Sequence, residues 1–185
     1  MGSKNYKPTI MNLAEVLAKR CDKPTCLAIR DWIGNDADRF SELVGIMLSG
    51  DKVLSSYAAW AFSHVVEERP WLINPHLETL IANLDEPGNT DSVIRSTVKA
   101  LANVDLPEQV QGLALQKCFD LLMDPAVPVA IRVHAMQTVF NISKNEPDLL
   151  RELKAVLEEG METGSAGYRA RGKRLLKEIT AILKG

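Results

Sequence analysis

A large apolar residue followed by arginine recurs in this 185-residue sequence at an interval of 37 residues. The three copies are Ile94-Arg95, Ile131-Arg132 and Tyr168-Arg169. An earlier site, Leu54-Ser55, fits the same pattern 40 residues before the first copy but lacks the arginine. Repetition at about 20–50 residues is typical of solenoids, in which each unit packs only against its neighbours. This feature predicts an array of similar units stacked in one direction.

Apolar residues within the units follow helical spacing. Leu54, Ala58 and Phe62 recur at every fourth position, which places them on one face of a helix. No run of alternating β-branched residues is bounded by the tight-turn pairs typical of hairpins. Gly160 and Gly164 stand where the ninth helix can end. The sequence predicts ten helices, at about 10–21, 24–34, 37–49, 51–69, 75–85, 90–104, 107–123, 127–144, 147–162 and 165–183.

The unit around residue 131 carries a motif that resembles a known repeat family. The motif reads Met123-Asp124-Pro125-Ala126-Val127 and then Ile131-Arg132-Val133-His134-Ala135. It is similar to the Asp-Pro turn and the apolar-Arg-x-x-Ala core of HEAT and armadillo-type helical repeats. Leu84-Asp85-Glu86-Pro87 is a weaker copy of the turn, and the last unit keeps Tyr168-Arg169 without it. Tetratricopeptide repeats are the rival family, but their period is about 34 residues and their Trp…Leu-Gly…Tyr pattern is missing.

The resemblance covers about residues 36–183 and implies the fold class. It implies an all-α, right-handed α-α superhelix of about ten helices in five antiparallel pairs. We therefore expect a single domain over residues 1–185, with a degenerate N-terminal unit at about 10–34 and repeats at about 36–69, 75–104, 107–144 and 147–183. The first and last units are expected to act as caps, because the ends of a solenoid would otherwise expose apolar faces.

Composition argues against several classes of protein. The chain has 22 basic and 24 acidic residues and a net charge of -2, whereas nucleic-acid-binding domains are usually basic. No uncharged apolar run reaches the ~20 residues that span a bilayer, and the first residues lack the apolar core of a signal peptide. Three cysteines, an odd number without dense spacing, are typical of reduced thiols. We expect a cytoplasmic protein with no membrane contact.

Motifs for catalysis or metal binding are few. The sequence has no glycine-rich phosphate loop and no Gly-x-Ser-x-Gly elbow. His64 has Glu67 and Glu68 one turn later, a spacing that could hold a metal or relay a proton, but no second histidine follows four residues on. Cys21 and Cys26 lie farther apart than zinc-knuckle thiols and lack a second pair. We expect no catalytic residue, no metal site and no cofactor, and an enzyme built on His64 stays as an alternative.

The inner face of the superhelix is the expected binding surface, because the second helix of each pair usually lines it. In the repeat register, one row of exposed positions on these helices is Tyr57, Thr97, His134 and Arg171, and the neighbouring row is Trp60, Ala100, Gln137 and Arg174. Tyrosine, tryptophan and arginine dominate protein-binding hot spots. We therefore predict a protein or peptide partner, and the predicted contact residues are Tyr57, Trp60, His134, Gln137, Arg171 and Arg174. The competing interpretation is that Tyr57 and Trp60 pack between helices.

The last predicted helix offers an alternative function. It is basic, whereas the helix before it is acidic, so we expect salt bridges between the two. Its basic residues are Arg169, Arg171, Lys173, Arg174, Lys177 and Lys184. The alternative is nucleic-acid or phosphate binding through this surface. For a protein partner, the same charges predict a partly acidic segment near Arg171 and Arg174.

Overall fold

The computed structural model describes residues 11–19 and 21–184, and these residues form ten α-helices and no β-strand. The helices are α1 (Leu13–Lys19), α2 (Lys23–Ile33), α3 (Ala37–Met47), α4 (Lys52–Glu68), α5 (Leu77–Ala82), α6 (Asp91–Leu101), α7 (Glu108–Met123), α8 (Val129–Ser143), α9 (Pro147–Thr163) and α10 (Ala166–Ile182). The all-α prediction is confirmed. No helix in the described part of the chain has both the length and the hydropathy needed to cross a membrane.

The fifth predicted helix is much shorter than expected. Instead of one helix at about 75–85, α5 has six residues and lies between two 3₁₀ segments, Pro70–His76 and Asn83–Asp85. Pro75 lies inside the first of these segments and not in the first turn of an α-helix. Because proline has no N–H and its ring clashes with the preceding turn, Pro70 and Pro75 keep this stretch from forming a regular α-helix.

The helices stack in two rows. The second helices of the pairs form a continuous row, because α2 contacts α4, α4 contacts α6, α6 contacts α8 and α8 contacts α10. The first helices cover one side of this row, as α3 packs on α4, α7 on α8 and α9 on α10. One hydrophobic core runs through the stack from Leu13 to Ile179. A helical solenoid with a row of second helices is therefore present, as the 37-residue period predicts.

The repeated motif supplies core residues in the last two units, whereas the anchors Leu54 and Ile94 of the earlier units are only partly buried. Ile131 and Tyr168, the apolar anchors, are both fully buried. The small residues four places later are buried too, and a Cβ on Gly172 would lie 2.9 Å from Sδ of Met161. Small side chains at this position let neighbouring helices approach closely. Arg132 ties two units together, since its Nε donates to the Leu122 carbonyl at 2.9 Å and its guanidinium lies 4.7 Å from the ring centroid of Tyr168.

Of the two glycines offered as helix ends, Gly164 is the C-cap of α9 and Gly160 lies inside the helix, as the predicted bounds of about 147–162 also imply. The reason for a glycine at position 160 is packing. A Cβ there would lie 2.6 Å from Cζ and 2.8 Å from Cε1 of Tyr168, whose ring is buried between α9 and α10. Helices α9 and α10 therefore pack around the ring of Tyr168, and the absence of a side chain at Gly160 provides the space for it.

We predict that Gly160→Ala destabilises the protein by about 1–3 kcal/mol, because the added methyl group overpacks against Tyr168. Gly112→Ala is the matched control, since Gly112 also lies inside a helix but a Cβ there would meet nothing within 4 Å. The control should stabilise the protein by about 0.5–1 kcal/mol, the usual gain in an open helix. Urea unfolding midpoints measure both effects, and a stabilising Gly160→Ala would contradict the packing argument.

Candidate partner-binding groove

An open groove of about 520 Å³ crosses the exposed face of α4, α6 and α8. We call it the central groove and define it by six of its lining residues, Tyr57, Trp60, Arg95, Lys99, Ala130 and His134. A larger depression of about 670 Å³ lies at the helix ends near Gly50 and Gly88. No aromatic side chain lines that depression, so the central groove is the better candidate for a binding site.

The two aromatic residues predicted for this face lie side by side in the groove but differ in exposure. Trp60 is 41 % exposed, whereas Tyr57 is half-buried and packs against the core. Both line the groove, from adjacent turns of α4. Tyr57 is therefore partly packed between helices, as the competing interpretation expects. Trp60 is not. Trp60 leaves a large apolar surface open to solvent.

The sequence register is wrong on α6. Thr97 and Ala100 were expected among the exposed rows, but they are 1 % and 5 % exposed. The reason is that α6 packs between α4 and α8, and the residues at these positions face its neighbours. Arg95 and Lys99 occupy the groove instead. Neither residue is among the contact residues predicted from the sequence, although Arg95 is part of the repeated motif.

Cationic side chains converge around His134. Lys99 and Arg95 approach it from α6 and Arg171 from α10. Burial is the largest cause and these three charges are the next causes of a low His134 pKa, about 4 against an ordinary value of 6.5. His134 is therefore neutral at pH 7, and the charge of this region is set by the lysine and the arginines.

The cations differ in how they are compensated. Lys99 forms an ion pair with Glu67, and the Arg171 guanidinium donates to Oε1 of Gln137 at 2.8 Å. Gln137 is held in turn by Asn141, whose Oδ1 accepts from Nε2 of Gln137 at 2.9 Å. Arg95 is exposed and has neither a hydrogen bond nor an ion pair among residues 11–19 and 21–184. Positive charge therefore exceeds negative charge on this part of the groove.

The six predicted contact residues do not all lie together. Tyr57, Trp60 and His134 line the groove. Arg171 and Gln137 do not line it, but they are hydrogen-bonded to each other, and the charge of Arg171 helps to lower the pKa of His134. The sixth, Arg174, is exposed and pairs with Glu178 on its own helix at 3.2 Å. Arg174 does not line the central groove.

The salt bridges expected between the last two helices are absent from the described part of the chain. The ion pairs that α9 and α10 form lie within one helix, between Arg151 and Asp148, Lys154 and Glu158, and Arg174 and Glu178. The basic residues Arg169, Lys173 and Lys177 are exposed on α10. The basic surface of α10 thus faces solvent and is not neutralised by the acidic helix before it.

The His64 cluster does not form a typical metal site. Nδ1 of His64 lies 3.8 Å from Oε2 of Glu67, and Glu67 is also the partner of Lys99. Glu68 turns away and pairs with Arg30 at 2.9 Å and with Arg69 at 3.2 Å. In residues 11–19 and 21–184, no three histidine, cysteine, aspartate or glutamate side chains are placed to share a metal ion.

The low pKa of His134 makes stability depend on pH. Because the folded pKa lies below the unfolded value of about 6.5, the unfolded chain binds the proton more readily. The stability contribution of neutral His134 is complete above pH 6.5 and is lost as the pH falls toward 4. We predict that His134→Gln, which cannot be protonated, loses less stability than the wild type between these pH values.

Urea unfolding midpoints of both proteins, measured at about pH 7 and about pH 4.5, test this prediction. Burial also lowers the pKa of His76, but this residue is present in both proteins and its effect cancels. Parallel losses of stability in the two proteins would contradict the assignment to His134.

Comparison with known proteins agrees with the architecture. No curated protein and no solved structure matches the chain. A family model described as a HEAT repeat domain matches residues 13–179, which is most of the sequence. Members of this family generally act as non-catalytic scaffolds that bind other proteins. With paired helices, a continuous row of second helices and this match over most of its length, the chain belongs to the HEAT repeat family.

Proposed function

We propose that this protein is a non-enzymatic interaction module that binds an extended, partly acidic segment of a protein partner in the central groove. One observation carries the proposal: the groove presents Trp60 and Tyr57 beside cationic side chains that acidic residues only partly compensate. The proposal includes a cytoplasmic location. All three cysteines are free thiols, and free thiols are typical of the reducing cytoplasm, which supports this location.

The aromatic side chains would anchor the partner. Tryptophan and tyrosine bury a large area on binding and lose little conformational entropy, so they are enriched among hot-spot residues. Trp60 is the exposed one of the pair, and Tyr57 supports it from the adjacent turn. A hydrophobic side chain of the partner would cover Trp60 and remove its surface from water.

The cationic side chains would select the sign of the partner's charge. Among the described residues that line the groove, one is acidic, Glu67, and two are basic, Arg95 and Lys99. Arg171 adds a further positive charge at the C-terminal end of the same face. A glutamate or aspartate placed between Arg95 and Arg171 would meet two guanidinium groups, whose fork geometry suits a carboxylate.

We predict that the double variant Tyr57→Ala/Trp60→Ala loses partner binding while it keeps its helical content, because truncating each hot-spot residue costs about 2 kcal/mol or more. Trp71→Ala is the matched control, since Trp71 is 54 % exposed and does not line the groove. Pull-downs with the three proteins as bait, at moderate salt, measure the effect on any discrete partner. Equal capture by the double variant would refute the role of the aromatic pair.

We also predict that Arg95→Gln weakens binding of acidic peptides by about 10-fold, which corresponds to about 1.4 kcal/mol. The probes are short peptides that combine one aromatic residue with several glutamates, and peptides with glutamine in place of glutamate are their neutral counterparts. Lys173→Gln removes an exposed charge on α10 that does not line the groove, and it should leave the affinity unchanged. Fluorescence anisotropy measures each affinity, and equal binding of acidic and neutral peptides would argue against charge selection.

The second candidate function is nucleic-acid or phosphate binding through α10. The exposure of Arg169, Lys173 and Lys177 favours it, since α9 does not neutralise them. Binding of this kind falls steeply with salt and would be lost in Lys173→Glu. It would be unaffected by Tyr57→Ala/Trp60→Ala, so the two candidate functions are separated by one set of variants.

A further inference from the structure

Two cysteines lie in contact at the N-terminal end of the stack. Sγ of Cys21, in the connection between α1 and α2, is 3.2 Å from Sγ of Cys26, in the first turns of α2. The third cysteine, Cys118, is buried in α7, far along the chain. We propose that Cys21 and Cys26 form a redox-active dithiol, which small disulfides such as oxidised glutathione convert to an intrachain disulfide.

The local backbone holds the two thiols together. Asp22 is the N-cap of α2, and its Oδ1 accepts from the Thr25 backbone N–H at 3.0 Å and from the Thr25 hydroxyl at 2.8 Å. These bonds fix the turn between the two cysteines. A disulfide bond is about 2.0 Å long, so the sulfur atoms need to approach by only about 1 Å. Side-chain rotation can supply a movement of this size without a change of fold.

The surroundings of the two thiols differ. Cys26 is fully buried on the face of α2 that packs toward α4, whereas Cys21 is half-buried. Burial raises the pKa of both thiols above the ordinary value. Thiolates are therefore scarce at neutral pH, so the pair reacts slowly with a disulfide oxidant. The more accessible Cys21 is the sulfur that an external disulfide reaches first.

The reaction balances with one molecule of oxidant. The Cys21 thiolate attacks one sulfur of the glutathione disulfide, a mixed disulfide forms, and one glutathione thiolate leaves. The Cys26 thiolate then attacks the Cys21 sulfur, the Cys21–Cys26 bond forms, and the second glutathione leaves. Two electrons pass from the cysteines to the oxidant, and the two thiol protons end on the two released glutathione molecules.

The dithiol also touches the helix that carries the aromatic pair. The Cys21 thiol lies 3.7 Å from the backbone carbonyl of Tyr57, to which it can donate. Oxidation removes this donor and ties the α1–α2 connection to α2. Oxidation of the pair therefore changes a contact made to the backbone of α4. The chemistry of the pair does not depend on the proposed function, because it requires no partner.

The test equilibrates the full chain with mixtures of reduced and oxidised glutathione, quenches it with acid, and alkylates it in denaturant. Mass spectrometry then counts the alkylated thiols and identifies the linked peptides. The reduced protein should take up three alkyl groups, one for each cysteine. The oxidised protein should take up one, on Cys118, and should weigh about 2 Da less before alkylation because two hydrogen atoms are lost.

Two variants make the result specific. Cys118→Ala leaves the pair intact and should go from two alkylated thiols to none. Cys21→Ser, at the half-buried position, should form no intrachain disulfide. Half of the native protein should be oxidised at a ratio of oxidised to reduced glutathione about 10-fold lower than the same chain needs in urea. The reason is that the fold holds the sulfur atoms in contact.

Three results would overturn the proposal. The first is a wild-type protein that keeps three alkylated thiols across all glutathione mixtures. The second is a disulfide that involves Cys118 or joins two chains. The third is an equal redox midpoint for the folded and the urea-unfolded chain, since the fold would then contribute nothing to closing the pair.

Discussion

The burial of one face of each second helix is the constraint on which the rest of the structure depends, and in α8 and α10 this face carries an apolar anchor and a small residue at the same spacing. Ile131 with Ala135, and Tyr168 with Gly172, are buried at equivalent places. This packing lets α4, α6, α8 and α10 lie next to one another in one row. In the part of the chain that the structure describes, the central groove lies on an open face of the same row.

The charge of the groove follows from the same stack. Because α6 and α10 lie on either side of α8, cationic side chains of both helices act on His134 of α8 and lower its pKa. The hydrogen bond from Arg171 to Gln137 holds one of these cations toward the groove. The region stays positive although the chain as a whole carries a net charge of -2. An average composition therefore coexists with a local surface that suits an acidic segment.

The N-terminal unit joins this stack through different chemistry. There α2 packs on α4 with Cys26 in the core, and Cys21 reaches the Tyr57 carbonyl. A change at the two sulfur atoms would therefore act next to the aromatic side chains of the groove. At the other end of the stack, the ring of Tyr168 packs against Gly160 and joins α9 to α10. Each end unit is thus held by contacts of its own, between Cys21 and Tyr57 at one end and between Gly160 and Tyr168 at the other.

Helical periodicity and the 37-residue interval determined most of the helices, the pairs α3–α4, α7–α8 and α9–α10, and the family resemblance, because these depend on which residues along one helix must be buried. The structure brings Tyr57, Trp60 and His134 together in one groove. Only the tertiary structure decided the rest. The rotation of α6 between its neighbours buried Thr97 and exposed Arg95, and the fit of α9 and α10 around Tyr168 requires a glycine at position 160. Such outcomes depend on contacts between side chains far apart in the sequence, and a periodic pattern within one helix carries no information about them.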